Sequence, residues 1–240
     1  KVMKKIIVVG SEGLIGSAIC SGLKKHKVYK CDIKKKKLKN YFQIDVNDEN
    51  STKNTFNKII KKAKKIDCII NCSYPKNVNF GKNIDKLTLK DFNENVSLNI
   101  GSVYSVIKSI LPHFKEKKKG NIIITTSIYG SILPKFEIYE NTPINFAMVY
   151  APIKAAQIMM VKYFAKYFNY KKINIRVNSI APGGVFDNHP KKFLLQYKKY
   201  CKSKGMINPK DLSGVTNFLI SDSSEYVTGL DIPVDDGFSL

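Results

Sequence analysis

Tryptophan is absent from this 240-residue chain, arginine occurs once, at Arg176, and the three histidines lie far apart. Cysteine is also sparse, with five residues and no C-x-x-C pair. A zinc site needs clustered cysteine and histidine ligands, and a disulfide framework needs paired cysteines. The sequence therefore predicts neither a metal site nor a disulfide framework, and it favours a reducing, cytoplasmic compartment.

Negative charge is scarce, and the formal net charge is +22. Basic surfaces recruit nucleic acids and anionic membranes through counterion release. Here the charge comes almost entirely from lysines, which are spread over most of the predicted helices and loops, whereas proteins that read bases and phosphates usually employ the arginine fork. We therefore expect no nucleic-acid partner, and we expect the run Lys34 to Lys37 to be a solvated turn.

Long hydrophobic runs are missing as well. No apolar run approaches the ~18 residues that a bilayer crossing requires. The run Ile6 to Val9 is too short for the apolar region of a signal peptide. We expect no association with a membrane.

Short apolar runs do alternate with longer segments of helical period. Their nearly continuous apolar character is typical of strands covered on both faces, and the helical segments supply the crossovers of a parallel sheet. The seven runs are Ile6 to Val9, Val28 to Cys31, Phe42 to Ile44, Cys68 to Ile70, Ile122 to Thr125, Ile175 to Ile180 and Leu230 to Val234. We predict a single α/β domain over residues 1–240, built on a Rossmann-like doubly wound parallel sheet.

A glycine-rich turn follows the first predicted strand directly. It reads Gly10-Ser11-Glu12-Gly13-Leu14-Ile15-Gly16 and opens an apolar helix. Glycines at a strand-to-helix turn let the backbone approach a pyrophosphate, and the helix N-terminus offers unpaired N–H groups and partial positive charge. This placement predicts a dinucleotide-binding site at Gly10, Gly13, Leu14, Ile15 and Gly16.

Acidic residues end the second and third predicted strands. Asp32 lies about twenty residues beyond the glycines, where a carboxylate accepts from the ribose hydroxyls and repels a 2′-phosphate. This favours NAD over NADP, although a lysine of the run 34–37 could turn toward a phosphate. Asp45-Val46 could place a carboxylate near the adenine amino group, or Asp45 could simply stabilise the turn before Asn47-Asp48.

The motif Tyr-x-x-x-Lys recurs in this chain, as at Tyr104/Lys108, Tyr150/Lys154 and Tyr167/Lys171. Only Tyr150/Lys154 follows a serine at the end of a predicted strand, Ser127. Moving hydride to or from a carbinol carbon requires moving a proton at its oxygen, and a phenol can do this if a nearby ammonium lowers its pKa of about 10. Residues four apart share a helical face, so Lys154 can supply that charge to Tyr150.

Through these motifs together, the sequence resembles the short-chain dehydrogenase/reductase family over essentially its whole length. The resemblance rests on the glycine turn, Asp32, Asp45-Val46, Asn71, Asn99, Ser127, Tyr150 with Lys154, and Pro182-Gly183. It implies that Asn99, Ser127, Tyr150 and Lys154 are catalytic, that Asn99 holds a water of a proton relay, and that Asn71, Pro182, Gly183, Tyr150 and Lys154 contact the cofactor. Asn95, one turn before Asn99, is the competing alignment.

A narrower resemblance is to a bacterial subgroup associated with flagellin glycosylation and legionaminic-type sugar synthesis. It is carried by the stretches Ser127 to Gly130, Pro134 to Glu140 and Val234 to Leu240. It implies an NAD-dependent enzyme acting on a secondary alcohol or ketone of a phosphorylated or nucleotide-linked sugar. An NADPH-dependent 3-oxoacyl thioester reductase with a more apolar lid and a non-catalytic dinucleotide sensor are the alternatives.

The sequence departs from the family in two loops. Asn71-Cys72-Ser73-Tyr74 replaces the usual Asn-Asn-Ala-Gly, and Ser127 is some ten residues further from Tyr150 than in common members. We expect an extra loop at about 131–148, which carries Glu137, Tyr139, Glu140 and Asn141. If it lines the pocket, its carboxylates and amides would suit a hydroxylated or amino-bearing sugar, and the alternative is a solvated insertion. We also expect a substrate lid at about 183–205. The family resemblance also implies a homodimer or homotetramer and a small-molecule substrate.

Overall fold

The computed structural model describes residues 2–240, which form one seven-stranded parallel sheet with helices on both faces. The strands are β1 (Lys5–Val9), β2 (Lys27–Asp32), β3 (Tyr41–Gln43), β4 (Cys68–Asn71), β5 (Gly120–Thr125), β6 (Ile175–Pro182) and β7 (Asp231–Val234). The helices are α1 (Leu14–Gly22), α2 (Glu49–Ala63), α3 (Leu89–Glu116), α4 (Tyr150–Tyr170), α5 (Lys191–Lys198) and α6 (Ser213–Ile220). All seven predicted strands are present, and the predicted fold class is confirmed.

The strand order β3-β2-β1-β4-β5-β6-β7 reverses direction between β1 and β4. The chain builds outward from β1 to β3 and then crosses back to β4. In open parallel sheets, ligands bind at the carboxyl ends of the strands where the order reverses. The loops after β1, β4 and β5 therefore meet at the expected position of a ligand crevice.

Two hydrophobic layers cover the sheet. In β1 the side chains alternate, so that Ile7 and Val9 pack with α2, α3 and α4 while Ile6 and Val8 pack with α1 and α6. Both faces are buried, which explains why the strands read as unbroken apolar runs. None of the helices in residues 2–240 combines the length and hydropathy that crossing a membrane demands.

Pro152 marks the start of α4. The helix begins at Tyr150, so the proline occupies its first turn, where no backbone N–H partner is lost. This agrees with the expectation that the helix begins near Tyr150. Tyr150 and Lys154 consequently lie on successive turns of one rigid element.

Candidate active site

A cleft of about 1000 Å³ opens at the carboxyl edge of the sheet. One half is formed by the glycine turn and the ends of β2 and β3, and the other by the loops after β4, β5 and β6. The predicted site residues that line it are Gly10, Gly13, Leu14, Ile15, Asp32, Asp45, Val46, Ser127, Tyr150, Pro182 and Gly183. The fold thus brings most of the predicted residues to one cavity.

The glycine turn has the shape that a dinucleotide needs. Gly10 has φ +76°, and a Cβ there would lie 2.7 Å from the carbonyl carbon of Cys72. A Cβ on Gly16 would lie 2.0 Å from the Gly10 carbonyl oxygen, so Gly16 lies behind the cleft wall and permits α1 to pack closely. Gly13 caps α1 without a side-chain acceptor, which leaves first-turn N–H groups available for a pyrophosphate.

Two carboxylates, those of Glu12 and Asp32, line the half of the cleft that the glycine turn forms. Asp32 is 7% exposed, and its carboxylate accepts from the backbone N–H of Glu12 at 2.9 Å and of Lys34 at 3.2 Å. The Glu12 carboxylate pairs with the Lys36 ammonium. The run 34–37 is exposed, as expected, but one of its lysines is held by Glu12, a residue that the sequence analysis did not single out.

Asp45 and Asn71 have structural contacts of their own. The Asp45 carboxylate accepts from the Asn47 N–H at 2.9 Å, so its turn-stabilising role is present, and the residue also lines the cleft. The Asn71 side-chain oxygen accepts from the Ser73 N–H at 3.1 Å and the Ser73 hydroxyl at 2.6 Å. Asn71 is buried behind the cleft wall and shapes the loop that follows β4.

Ser127 and Tyr150 meet at the centre of the cleft. Ser127 follows β5 and begins a short 3₁₀ turn, and Tyr150 is the first residue of α4. Burial raises the pKa of the Tyr150 phenol, and the Ser127 hydroxyl acts in the opposite direction. The pair can bind a substrate oxygen and exchange a proton with it.

Lys154 lies buried behind Tyr150. Its side chain is 4% exposed, its Nζ lies 5.6 Å from the centre of the Tyr150 ring, and it donates to the Thr125 carbonyl at 3.2 Å. Burial lowers its pKa to about 8, while Cys72 and Asp231 act in the opposite direction. Lys154 has no carboxylate partner within residues 2–240, so its positive charge is available to stabilise a phenolate.

The structure distinguishes Asn99 from Asn95. The Asn95 amide bonds with the Asn77 loop, accepting from its N–H at 3.0 Å and donating to its side-chain oxygen at 2.8 Å. Asn99 donates to the Pro75 carbonyl at 2.8 Å, and its own side-chain oxygen is buried without a partner among the described residues. The main-chain carbonyl of Asn99 accepts from the Gln157 side chain at 3.4 Å, and Gln157 in turn accepts from Lys154, so the choice of Asn99 over Asn95 stays a prediction.

The Tyr-x-x-x-Lys copies at Tyr104/Lys108 and Tyr167/Lys171 lie elsewhere. Tyr104 is 49% exposed, and Lys108 pairs with Glu49 at 2.8 Å. Tyr167 packs against the α4 side of the core, stacked on Tyr163. Neither tyrosine lines the cleft, so context selects Tyr150 as the sequence analysis expected.

The loop at 131–148 presents aromatic rings, rather than its carboxylates, to the cleft. The loop at 131–148 does reach it, through Tyr139 and Phe146, but Glu137 and Glu140 are not among its lining residues. The Glu137 carboxylate instead accepts from the Tyr200 hydroxyl at 2.8 Å. The loop therefore lines the cleft, but of the four polar residues considered only Tyr139 does so, because the aromatic side chains of this loop pack inward.

The segment 183–205 borders the same end. It contains α5, whose Tyr197 hydroxyl accepts from the Gly184 N–H at 2.6 Å. The Tyr197 ring stacks on Phe238 with centroids 4.2 Å apart, so the last residues of the chain hold the base of this segment. Phe193 and Tyr197 present their rings to the cleft.

Similar proteins cover nearly the whole chain. A family profile described as "Enoyl-(Acyl carrier protein) reductase" matches residues 23–239. The chain is 35% identical over 255 residues to "Post-translational flagellin modification protein A" of Campylobacter coli, covering 99% of this chain and 98% of that protein. It is 28% identical over 207 residues to a 3-oxoacyl-(acyl-carrier-protein) reductase of Thermotoga maritima, covering 83% and 76%.

A solved structure agrees with these relatives. The crystal structure of a short chain dehydrogenase from Leptospira borgpetersenii with bound NAD+ superposes with a TM-score of 0.87. It is 31% identical and covers 99% of this chain and 93% of that chain. The similarity therefore includes both the sheet and the loops that form the cleft.

Proposed function

Because the chain belongs to the short-chain dehydrogenase/reductase family, we propose that it is an NAD-dependent oxidoreductase acting on a secondary alcohol or ketone of a sugar derivative. The sugar would be phosphorylated or nucleotide-linked and used in surface or flagellin glycan synthesis. The observation that carries the proposal is the meeting of Ser127 and Tyr150 in the cleft, with the buried ammonium of Lys154 behind them. The five free cysteines fit a cytoplasmic location.

The residues divide the chemistry between them. When bound, the nicotinamide accepts hydride from the carbinol carbon or returns it. Ser127 donates a hydrogen bond to the substrate oxygen and orients it. In the oxidation direction Tyr150, as phenolate, takes the hydroxyl proton as the C–O bond becomes a carbonyl, and Lys154 stabilises that phenolate. In reduction the same proton returns from Tyr150 to the substrate oxygen.

The substrate assignment is supported by the relative from Campylobacter coli, whose name refers to flagellin modification. The pocket supplies rings and phenolic hydroxyls, including those of Tyr129 and Tyr139, which lie 3.2 Å apart. Rings can cover the C–H faces of a sugar, and phenols can bond its hydroxyls.

A 3-oxoacyl thioester reductase is the second candidate, because the segments that close the cleft present an aromatic, largely apolar surface. The two acidic residues at the adenosine end oppose it, since this candidate requires NADPH. The test is turnover across sugar phosphates, nucleotide sugars and acyl thioesters with both cofactors. Activity on a sugar with NAD supports the proposal, activity only on a thioester with NADPH supports the second candidate, and NADH binding without turnover on any substrate favours a sensor.

Cofactor choice gives a sharper prediction. In wild type we expect kcat/KM to favour NAD over NADP on the order of 100-fold, because a 2′-phosphate would approach the carboxylates of Asp32 and Glu12. The double variant Glu12→Gln, Asp32→Asn removes both charges and frees Lys36, so we expect the preference to fall at least about 10-fold through a gain with NADP. Initial rates with each cofactor measure this.

The variant Asp45→Asn is the matched control. Asp45 lines the same half of the cleft, and its carboxylate is engaged by the Asn47 N–H. We expect it to change kcat/KM for NAD and NADP by the same factor. An unchanged cofactor ratio in the double variant would contradict the assignment of Glu12 and Asp32.

We also propose that the segment 183–205 is the substrate lid and that Phe238 anchors it. Phe238 is fully buried against Tyr197, so Phe238→Ala should cost about 3 kcal/mol of stability and raise the KM for substrate several-fold. Amide hydrogen exchange should become faster in 183–205.

The control Phe168→Ala empties the core between α4 and the sheet and should destabilise the protein without selectively loosening the lid. Unchanged exchange in 183–205 would contradict this role.

The proposal includes a homodimer or homotetramer. The exposed faces of α3 and α4 carry apolar side chains that one sheet does not need, among them Met159, Tyr163 and Tyr170. Large exposed apolar surfaces mark association sites. Light scattering on the purified protein would measure the assembly.

A further inference from the structure

Gln157 lies one turn beyond Lys154 on α4 and is 2% exposed. Its side-chain oxygen accepts from the Lys154 Nζ at 3.1 Å. Its side-chain nitrogen points to the main-chain carbonyl of Asn99 on α3, at 3.4 Å. One buried amide therefore connects the lysine behind Tyr150 to the asparagine of the neighbouring helix.

The chemistry of the two neighbours fixes the orientation of this amide. A lysine ammonium offers only donors, so the Gln157 oxygen must face it. A main-chain carbonyl offers only an acceptor, so the Gln157 nitrogen must face Asn99. A flipped amide would set its donor against the ammonium of Lys154 and its acceptor against the carbonyl of Asn99, and both contacts would be repulsive.

Lys154 depends on this contact because its surroundings supply little else. Among residues 2–240, its only hydrogen-bond acceptors are the Thr125 carbonyl and the Gln157 oxygen. The titratable groups around it come from separate elements: Cys72 and Tyr74 after β4, Tyr150 on α4 and Asp231 on β7. None of them is within salt-bridge distance, and a buried ammonium that loses one of two acceptors is strongly disfavoured.

We propose that Gln157 is a positioning residue that holds the Lys154 ammonium behind Tyr150 by joining it to the Asn99 carbonyl. The inference rests on the proposed function, since it assigns Gln157 a role through Lys154. The resemblance to the family implies a water held by Asn99, and here a side-chain amide makes the connection to its carbonyl. The distance from Lys154 to Tyr150 is then set by the packing of α3 against α4.

The test compares Gln157→Met with wild type. Methionine has nearly the length of glutamine and removes both hydrogen bonds. Without its acceptor the ammonium is less favoured, the Tyr150 phenolate loses support, and the pH at half-maximal alcohol oxidation should rise by roughly one unit. We expect kcat at pH 7 to fall about 10-fold while KM for NAD changes less than about 3-fold.

A second readout does not depend on turnover. The 13Cε resonance of Lys154, assigned by its loss in Lys154→Arg, reports its titration in the protein without cofactor. In Gln157→Met the pKa of Lys154 should fall by roughly half a unit to one unit. In Gln157→Glu, which keeps an acceptor toward Lys154 and adds a negative charge, it should lie at or above the wild-type value.

Asn121→Leu is the structural control. Asn121 is a buried amide that donates to the Leu219 carbonyl at 2.8 Å, at the opposite end of β5 from Ser127. We expect it to lower Tm without moving the pH profile or the titration of Lys154. If Gln157→Met behaves like Asn121→Leu, Gln157 is a structural strut and the inference is wrong. If wild type shows no Tyr150-dependent turnover, the proposed function fails, and the titration of Lys154 still decides whether Gln157 holds it.

Discussion

Replacement of Tyr150 by phenylalanine is expected to lower kcat by roughly 10²–10⁴-fold, the range that a positioned proton donor contributes. The substitution keeps the ring, which contacts Tyr74 and Phe146 edge to face, and removes only the hydroxyl that faces Ser127. The substrate oxygen then has no group with which to exchange its proton. In reduction, hydride transfer would then leave an unprotonated alkoxide. In oxidation, it would leave a carbonyl that still carries the hydroxyl proton. Both species are high in energy.

Binding of NADH should survive this change almost intact. The glycine turn and the carboxylates of Asp32 and Glu12 lie in the other half of the cleft and are untouched. Titration of NADH fluorescence separates binding from turnover, so the loss should appear in kcat and not in the dissociation constant of NADH.

The chain supplies its own controls. Tyr104→Phe and Tyr167→Phe alter two other Tyr-x-x-x-Lys copies, which lie outside the cleft. Both variants should keep wild-type kcat. Retention of turnover by Tyr150→Phe, or its loss in either control, would overturn the assignment of the catalytic tyrosine.

The pKa of Tyr150 also predicts which direction is easier to observe at neutral pH. Burial raises the pKa of this phenol in the protein without cofactor, so the protonated form predominates at pH 7. Reduction of a ketone uses that proton, whereas oxidation of an alcohol needs the phenolate. Oxidation should therefore increase as the pH rises, while reduction should decline.

The fold could be predicted because its signals are local. Each strand is an apolar run, and the run Ile6 to Val9 leads straight into Gly10 and Gly16, whose missing Cβ atoms leave room for α1 and the β4 loop. Ser127 and Tyr150 could be predicted because each lies at the end of an element, where parallel strands and the helices that follow them meet.

Other parts of the site could not be predicted, because they depend on contacts between distant segments. In the sequence, Gln157 cannot be told apart from other polar residues on helices. Its role depends on the position of α3, which places the Asn99 carbonyl 3.4 Å from its side-chain nitrogen. Glu12 occupies a variable position of the glycine turn, and only folding places it beside Asp32 and Lys36.

The loop at 131–148 shows a related limit. Its composition indicated a polar insertion, but the side chains that turn inward are Tyr139 and Phe146. The sequence has no period in this loop from which a buried face could be read, so the choice between its carboxylates and its rings is made by packing against Tyr129 and Phe193.

Replacement of Lys154 by methionine should separate activity from stability. We expect kcat to fall about 100-fold, since the Tyr150 phenolate loses its nearby positive charge. We also expect the free energy of unfolding at pH 7 to rise by about 2 kcal/mol, because the pKa of Lys154 lies near 8 in the folded protein and about 10.4 when unfolded. The variant also loses the hydrogen bonds from Lys154 to Thr125 and Gln157, so the gain in stability is smaller than the pKa shift alone would give.

The sign of the pH dependence tests this explanation. Between about pH 8 and pH 10 the unfolded lysine binds more protons than the folded one, so wild type gains stability as the pH rises through this window. The advantage of Lys154→Met should therefore be largest at or below pH 8 and shrink above it. Urea unfolding at several pH values measures the difference, and Lys162→Met, at an exposed position of the same helix, is the matched control. If Lys154→Met is less stable than wild type, or if its stability advantage grows with pH, then burial of the Lys154 ammonium does not destabilise the folded protein.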